Sequence, residues 1–411
     1  MAVNKENSIN NKEIGNIEDA TVLHDLAQDY CKRGDYKEAL NLNQKVYDFR
    51  CKTLGVEHID TLSSLHNLAF TYRECGQYAT ALDCFEKVYN LRCKVLGQEH
   101  PDTLTSLCDL AFTYGEIGKY RKSLELNEKC YDFRCKVLGK DHPDTLTSLG
   151  NLATAYFDRG DYSQALKLNQ EVYDIRQKIL GEENPDTLTS LNNLALTYLY
   201  CKKNEEALAL FIKNYNLHCK VLGEKHPDTL TALHNLAQAY GENGQLEKAL
   251  ELNQKVYDLR CEVLGCEHPN TIGSLGNLAV NYYELDEFDK ALEIREKLYN
   301  LHRKIFGEEH PNSIRALGNL ASSYRTVGKF DEALELHKKV YELHCETLGN
   351  EHPDTLTSLA NLALNYRCLG NREKALELYE EVYKLRCKVL GETRPSTIRI
   401  LNIIEHLKQK I

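Results

Sequence analysis

The chain has 411 residues, a formal net charge of −10 and a hydrophobic fraction of 42%. This acidic balance argues against an electrostatic footprint for DNA or RNA, and the lack of an apolar run of about 18 residues argues against a membrane span. The first residues are polar and lack the apolar stretch of a secretion signal. We therefore predict a flexible tail over residues 1–15 and a cytoplasmic location, where cysteines stay reduced.

The rest of the sequence repeats with a period of 42 residues. The segment HPDTLTSL occurs with little or no change at His100, His142, Asn184, His226 and His352. Aligning these copies gives nine complete units over residues 16–393 and a partial unit over residues 394–411. Self-similarity at a fixed period indicates a repeat array rather than the two or three domains that length alone suggests.

Each unit predicts two helices, as residues 142–183 illustrate. Pro143 suits the first turn of a helix, where no backbone donor is lost, and Gly160 is expected to end that helix. The first stretch carries apolar residues with helical spacing at Leu149, Leu152, Ala153 and Tyr156. The second stretch carries them at Ala165, Leu168, Val172, Ile175 and Ile179. Gly181 then predicts the end of the second helix.

Several positions hardly vary between units. A tyrosine recurs in all nine first helices, from Tyr30 to Tyr366, and another in all nine second helices, from Tyr47 to Tyr383. Because such a stripe lies on one helical face, we interpret it as core packing. The order Asn-Leu-Ala, Tyr, Gly, Tyr, Ala-Leu resembles the tetratricopeptide repeat. The 42-residue form, with NLA..Y...G.Y..AL and the linker LG.EHPD, resembles the cargo-binding repeats of kinesin light chain over about nine-tenths of the chain.

This resemblance implies an all-α fold, a right-handed superhelical solenoid of tetratricopeptide-type helix hairpins whose first helices line a concave groove. It also implies a non-enzymatic scaffold or adaptor that binds extended peptide segments in that groove. The fifteen residues before the first repeat are too short for the heptad coiled coil that joins kinesin light chain to its motor. Motor attachment is therefore not part of the expectation.

One first-helix position is asparagine in seven units, and we name this set the asparagine ladder. Its members are Asn67, Asn151, Asn193, Asn235, Asn277, Asn319 and Asn361. Asp25 and Asp109 take the position in the other two units. An amide both donates and accepts hydrogen bonds, so it can hold a peptide backbone without reading its sequence. The resemblance implies the same contact, although each asparagine could instead bond to the adjacent repeat.

Charged residues near the ladder change sign along the chain. The position seven residues after the ladder is acidic in most of the first seven units, at Glu74, Glu116, Asp158, Glu242 and Glu284. Basic candidates follow late in the array, at Arg315, Arg325, Arg367 and Arg399. Since arginine binds carboxylates in a bidentate fork, we predict that a ligand places acidic residues or its C-terminal carboxylate near repeats eight and nine. The alternative is a solvated surface with no partner.

Cysteines and histidines repeat with the helices, which argues against catalysis or metal binding. Seven cysteines share one second-helix position and are expected to be small buried groups too far apart for disulfides. They are Cys51, Cys93, Cys135, Cys219, Cys261, Cys345 and Cys387. Histidines at repeat starts, such as His100 and His268, are interpreted as helix caps or linker packing, whereas His24, His66 and His234 could contact a ligand. We find no catalytic motif and expect no metal or cofactor.

The partial unit predicts a last helix that caps the array. Its Ile398, Leu401, Ile404 and Leu407 are expected to cover the last hairpin, while Arg399 faces water. Further isoleucines could support self-association through this helix. A structural or self-assembling solenoid without a dedicated peptide ligand is therefore the alternative function.

Overall fold

The computed structural model describes residues 15–33 and 35–409. Within those residues the chain forms nineteen α-helices and no strand, which confirms the predicted all-α class. Residues 1–14 of the predicted tail lie outside the described residues, as do residues 410–411.

The chain divides into two compact units, Met1–Leu210 and Phe211–Ile411. The first unit contains α1 (Ile17–Arg33), α2 (Tyr36–Leu54), α3 (Ile59–Glu74), α4 (Tyr78–Val95), α5 (Pro101–Glu116), α6 (Tyr120–Leu138), α7 (Pro143–Asp158), α8 (Tyr162–Leu180) and α9 (Pro185–Tyr200). The boundary falls within α10 (Asn204–Leu222). The second unit then contains α11 (Pro227–Glu242), α12 (Leu246–Leu264), α13 (Pro269–Glu284), α14 (Phe288–Phe306), α15 (Pro311–Thr326), α16 (Phe330–Leu348), α17 (Pro353–Cys368), α18 (Arg372–Leu390) and α19 (Pro395–Lys408). Odd-numbered helices are the first helices of the repeats and even-numbered helices the second, and helices of each kind start 42 residues apart.

The residue at the start of each repeat caps the first helix, as the sequence predicted. The Nδ1 atom of His100 accepts the backbone N–H of Asp102 at 3.1 Å. Asn184 makes the equivalent bond to Asp186 through its Oδ1 atom, at 2.9 Å. The same histidine bond recurs at His58, His142, His226, His268, His310 and His352. The repeated letters HP therefore satisfy a backbone donor that the first turn leaves without an intrahelical partner.

The hairpin turns need a left-handed residue, which glycine supplies in most repeats. Gly160 has φ +87° and Gly181 has φ +86°, as expected for the turn and for the end of the second helix. Lys202 and Asp286 take the turn position in two repeats and adopt φ +59°. The turn geometry therefore persists where the sequence loses its glycine.

The predicted core of residues 142–183 is mostly confirmed, with one error on the second helix. Leu149, Ala153 and Val172 are at most 2% exposed, but Ile179 is 49% exposed. Arg176 is buried in its place, because its guanidinium reaches the next first helix. There it donates to the backbone oxygen of Asp186 at 3.1 Å and to Ser190 Oγ at 2.9 Å.

This arginine bridge joins successive repeats at the same place in both units. The Nη1 atom reaches the serine Oγ atom at 2.7–2.9 Å in the pairs Arg50–Ser64, Arg92–Ser106, Arg134–Ser148, Arg176–Ser190 and Arg260–Ser274. Burial lowers the pKa of Arg92, Arg134, Arg176 and Arg260. These bonds favour one register of neighbouring repeats, since another register would leave the buried guanidinium without its hydrogen-bond acceptors.

The cysteines differ in part from the expectation. The seven that share a second-helix position are half-buried rather than buried. Each lies beside the hydroxyl of the second-helix tyrosine four residues earlier. Cys108 of α5 and Cys130 of α6 form a disulfide across the third hairpin, with their Cα atoms 6.4 Å apart. Neither cysteine belongs to the repeated set. The other repeats carry other residue types at these two positions.

The predicted cover of the last hairpin by α19 is confirmed in part: Ile404 and Leu407 are buried, Leu401 is half-buried and Ile398 is exposed. Ile400, Ile404 and Leu407 are at most 5% exposed, whereas Ile398 is 44% exposed. The equivalent residue one repeat earlier, Leu356, is fully buried.

Candidate peptide-binding surface

The asparagine ladder lies on the first helices with every member partly accessible. Asn151 and Asn319 are exposed, and the other five are half-buried. The surface formed by the first helices of each unit, which we call the first-helix face, therefore presents these amides to solvent.

Two ladder members also contact the preceding repeat. Asn67 Nδ2 lies 3.5 Å from His24 Nε2, and Asn277 Nδ2 lies 3.4 Å from His234 Nδ1. Burial, with a smaller effect of a nearby arginine, lowers the pKa of both histidines, so the neutral ring is favoured. These contacts fit the alternative in which the amides bond to the adjacent repeat. Both distances are long for hydrogen bonds, so the contacts leave room for a ligand to compete.

Arg73, at the acidic end of the array, is neutralised within the protein. Its guanidinium lies between the rings of Phe70 and Phe112, at 4.8 and 4.9 Å from their centroids. Its Nη1 atom lies 3.2 Å from the Oδ1 atom of Asp109, which takes the ladder position in the third repeat. Burial alone would raise the pKa of Asp109, but His66 and Arg73 outweigh it and hold the pKa below its ordinary value. This aspartate is therefore occupied by internal ion pairs.

Two of the predicted acidic residues meet beside Gly115 in the first unit. Glu116 and Asp158 line a pocket of about 100 Å³ together with Asn127 and the ladder residue Asn151. Burial, and then the charge of Glu116, raises the pKa of Asp158. The pocket therefore concentrates negative charge that nothing in its lining compensates.

A larger pocket of about 530 Å³ occupies the equivalent place in the second unit, beside Gly241. Glu242 and Glu284 line it together with Asn253 and the ladder residue Asn277. Both acidic residues belong to the predicted acidic set. The structure thus brings predicted acidic and ladder residues together in each unit.

A third cleft, of about 360 Å³, holds Arg315 and the ladder residue Asn319. Arg295 and His302 of α14 line the same cleft, and Phe306 closes one side with an exposed ring. Burial lowers the pKa of Arg295. Burial also lowers the pKa of His302, and the charge of Arg315 lowers it further. Neither arginine forms an ion pair with a described carboxylate. The cleft therefore combines apolar walls with uncompensated positive charge.

The charges of Arg325, Arg367 and Arg399 all influence one buried tyrosine. Tyr379 of α18 is 2% exposed. Burial raises its pKa, while the charges of Arg367, Arg325 and Arg399 oppose that rise. Beside them, His337 is 1% exposed and lacks a hydrogen-bond partner for Nε2 among the described residues. Burial, with the charge of Arg325, lowers the pKa of His337 to about 4.

Arg73 is paired with a carboxylate and Arg325 is not, because the two repeats differ in one residue. Both take the same position in their repeats, six residues after the ladder. The residue 36 positions later is Asp109 for Arg73, but it is the neutral Asn361 for Arg325. Arg325 accordingly makes no described ion pair, and its Nη1 atom is buried without a hydrogen-bond partner among the described residues.

Sequence reasoning missed the second-helix residues that complete these sites. Asn253, Arg295, His337 and Tyr379 take one second-helix position, which is asparagine in several other repeats. The predicted surface was confined to first helices and therefore did not include that position. The signal that could have revealed it is the loss of the repeated asparagine in the late repeats.

Across residues 15–33 and 35–409, no group of three histidine, cysteine, aspartate or glutamate side chains is arranged to hold a metal ion. In the same residues, no helix combines the length and apolar character needed to cross a bilayer.

Comparison with known proteins identifies the repeat. A family model described as the tetratricopeptide repeat matches overlapping segments that together span residues 60–388, and a second model of that repeat matches residues 20–60. No curated protein sequence matches the chain.

The chain is similar to many solved structures, of which three are described. A Podosopora anserina kinesin light chain-type protein with nearly identical TPR-like repeats is 32% identical, with 50% of this chain and 97% of that chain covered and a TM-score of 0.47. BtubC from P. vanneervenii is 17% identical, with coverages of 56% and 91% and a TM-score of 0.46. A signal transduction ATPase with a tetratricopeptide repeat sensor, from Pyrococcus horikoshii, is 16% identical over 87% of this chain and 55% of its own, with a TM-score of 0.56. The last of these supports the fold alone.

The family matches cover most of the chain, and the repeat period and the paired helices agree with them. The chain therefore belongs to the tetratricopeptide repeat family.

Proposed function

We propose that this protein is a non-enzymatic adaptor that binds extended segments of partner proteins along a groove lined by its first helices. The ladder amides hold the peptide backbone, since an amide both donates and accepts. Arg325 and Arg367 then select an acidic residue or a terminal carboxylate of the bound segment. A cytoplasmic location stays a prediction from the sequence.

The observation that supports this proposal best is the uncompensated charge around Tyr379. Three guanidinium groups act on its hydroxyl, and none of them pairs with a described carboxylate. The fold can neutralise an arginine at this position with a carboxylate of the next repeat, as the ion pair between Arg73 and Asp109 demonstrates. A carboxylate from a partner would make charge-assisted, bidentate hydrogen bonds with these arginines.

The test is a peptide-array screen with the full chain, repeated with the double variant Arg325→Glu and Arg367→Glu. We expect acidic peptides to bind the unmodified chain and to lose at least about tenfold in affinity for the double variant, since charge-assisted bonds contribute about 1.5–3 kcal/mol each. The matched control reverses two exposed lysines of second helices in the same unit, Lys338→Glu and Lys384→Glu. It changes the net charge equally and should leave acidic-peptide binding within about twofold.

Equal losses in the two double variants would reduce the effect to net charge and would contradict a site at Arg325 and Arg367. Tighter binding of acidic peptides by the charge-reversed variant would also contradict it. A screen in which no peptide binds the unmodified chain would remove the adaptor proposal itself.

A self-assembling solenoid is the second candidate, and one observation favours it. Ile398 is 44% exposed, although the equivalent residue is at most 4% exposed in each of the eight preceding repeats. Those equivalents are Leu62, Leu104, Leu146, Leu188, Leu230, Ile272, Ile314 and Leu356. Sedimentation over a range of concentrations tests this candidate. An oligomer that Ile398→Glu dissociates supports assembly through α19, and a monomer at every concentration removes it.

A further inference from the structure

One hairpin of the array carries a disulfide for which the other hairpins have no counterpart. Cys108 of α5 and Cys130 of α6 form it, and their Cα atoms lie 6.4 Å apart, within the usual range for a disulfide. No other repeat has cysteine at either of these two positions, and six other second helices carry valine in place of Cys130. Because those hairpins close without such a bond, the fold does not require it.

The two sulfur atoms differ in their access to solvent. Cys130 is fully buried in the core of the first unit, whereas Cys108 is half-buried. Cys108 lies directly before Asp109 on the first-helix face, at the position that the half-buried His66 and His234 take in their repeats. Thiol–disulfide exchange requires access to the sulfur that is attacked. A small thiol or disulfide from solution therefore reacts at Cys108 and not at Cys130.

The surroundings of Cys130 suit a reduced thiol as well as a disulfide. Its Sγ atom lies 3.6 Å from the backbone oxygen of Leu104 and 3.5 Å from Ser148 Oγ. A thiol at this place has an acceptor for its weak S–H donor, so reduction leaves no buried donor without a partner. In the disulfide, the hydroxyl of Ser148 is the donor that faces the sulfur atoms. Neither redox state is excluded by the local hydrogen bonds.

Ser148 connects the sulfur pair to the arginine bridge between the third and fourth repeats. Its Oγ atom accepts the Nη1 atom of Arg134 at 2.9 Å and lies 3.9 Å from Cys108 Sγ. In five other repeats the equivalent serine also donates to the backbone oxygen four residues earlier, at 2.9–3.1 Å. Ser148 makes no such bond among the described residues, and its hydroxyl lies against the two sulfur atoms instead. The redox state of the pair is therefore in direct contact with the junction between two repeats.

We propose that Cys108 and Cys130 form a reversible redox site, which a small disulfide such as glutathione disulfide oxidises and the corresponding thiol reduces. In oxidation, the Cys108 thiolate attacks one sulfur of the small disulfide, and one small thiolate leaves with the electron pair of the broken S–S bond. The Cys130 thiolate then attacks Cys108 Sγ, and the second small thiolate leaves. The two protons of the protein thiols pass to the two leaving thiolates. The two electrons lost by the protein reduce the small disulfide, and reduction of the site follows the same steps in reverse.

The redox state should set the local stability of the third hairpin. The bond joins residues that are 22 apart in the sequence, and a cross-link restricts how far the segment between its ends can separate when it opens. The oxidised hairpin should therefore open less often than the reduced one. Because Ser148 contacts both sulfur atoms, α7 should respond together with α5 and α6.

The first measurement determines whether the site exchanges reversibly. The full chain is equilibrated with reduced and oxidised glutathione at graded ratios, quenched with acid and alkylated, and the peptides containing Cys108 and Cys130 are quantified by mass spectrometry. We expect both cysteines to change together from alkylated to disulfide-bonded within this series, and excess reduced glutathione to restore both thiols. A pair that stays oxidised at every ratio, or reduced at every ratio, would overturn the proposal.

The second measurement compares hydrogen exchange of the oxidised and reduced chain. Protection in α5, α6 and α7 should fall at least about tenfold on reduction, because the open form is no longer cross-linked. The matched control is Cys130→Val, which removes the bond and restores the residue that six other repeats carry at this buried position. Its exchange should be the same under both conditions and should resemble that of the reduced chain.

Two outcomes of this comparison contradict the redox site. Unchanged protection on reduction of the unmodified chain is one. The other is an equal change in Cys130→Val, which would assign the effect to the thirteen free cysteines. If Cys130→Val does not fold, Cys108→Gly removes the same bond with the residue that Gly150 provides one repeat later. Peptide binding enters neither measurement, so this inference and the adaptor function can fail independently.

Discussion

His337 should make the folding stability of this protein sensitive to acid, and the substitution His337→Asn should remove that sensitivity. The pKa of His337 is lowered from 6.5 to about 4 by burial and by the charge of Arg325, so the folded chain holds this ring neutral. The unfolded chain binds the proton near 6.5, and stability is therefore full above that value and is lost as the pH falls toward 4. The gap corresponds to about 3 kcal/mol in total, of which about 2 kcal/mol is lost by about pH 5.

Asn is the natural residue at this position in several repeats, and in three of them, Asn43, Asn169 and Asn253, it donates to the first helix of the next repeat. Asn43 donates to Thr71 Oγ1 and Asn169 donates to Thr197 Oγ1, both at 2.9 Å. The residue equivalent to those threonines is Asn365, whose Oδ1 atom has no hydrogen-bond partner among the described residues. The variant His337→Asn therefore offers a neutral donor to a buried acceptor, in a geometry that the fold already uses.

The assay is chemical denaturation of the unmodified chain and His337→Asn at about pH 7.5 and about pH 5, followed by helical circular dichroism. The unmodified chain should lose about 2 kcal/mol more than the variant between these conditions. Other histidines are present in both proteins, so their contributions cancel in the difference. Hydrogen exchange in α16 should show the same trend locally. An equal loss of stability in the two proteins would refute the reasoning, because it would mean that His337 is not held neutral.

Two further predictions concern the ladder. The double variant Asn235→Ala and Asn277→Ala should weaken peptide binding about tenfold and leave the thermal midpoint within a few degrees, measured by titration and by thermal denaturation; unchanged affinity, or a large fall in the midpoint, would count against a ligand-binding ladder. Asn361→Asp should give Arg325 an internal carboxylate and lower its affinity for acidic peptides about tenfold. Asn193→Asp is the control, since Phe157 takes the matching place 36 residues earlier, and equal effects of the two substitutions would reject internal neutralisation as the cause.

The helical architecture could be predicted because the period of 42 residues allows equivalent positions of all repeats to be aligned. Histidine caps, turn glycines and the apolar face of each helix follow from local chemistry repeated nine times. Ile179 and Ile398 were placed in the core wrongly for a shared reason. Helical spacing shows which residues share a face of the helix, but it does not show which of them are buried. Burial depends on how the next repeat packs against that face.

The candidate sites were predictable in kind but not in composition. The sign of the charges and the ladder could be read from first helices. The partners of those residues could not, because they come from second helices and adjacent repeats. Arg73 and Arg325 look alike in the sequence, and only the residue that packs against each guanidinium separates a neutralised arginine from an available one.

The arginine bridge between repeats has a consequence for how such a chain can change in length. Each described bridge uses the same two residue types at the same separation of 14 residues. Loss of one 42-residue segment would therefore bring Arg134 opposite Ser190, a junction with the same chemistry as the one it replaces. Gene duplication and deletion could vary the number of repeats without requiring a new interface. The variable pocket residues would be gained or lost together with their repeats. A change in the number of repeats would therefore also change the order of charges along the first-helix face.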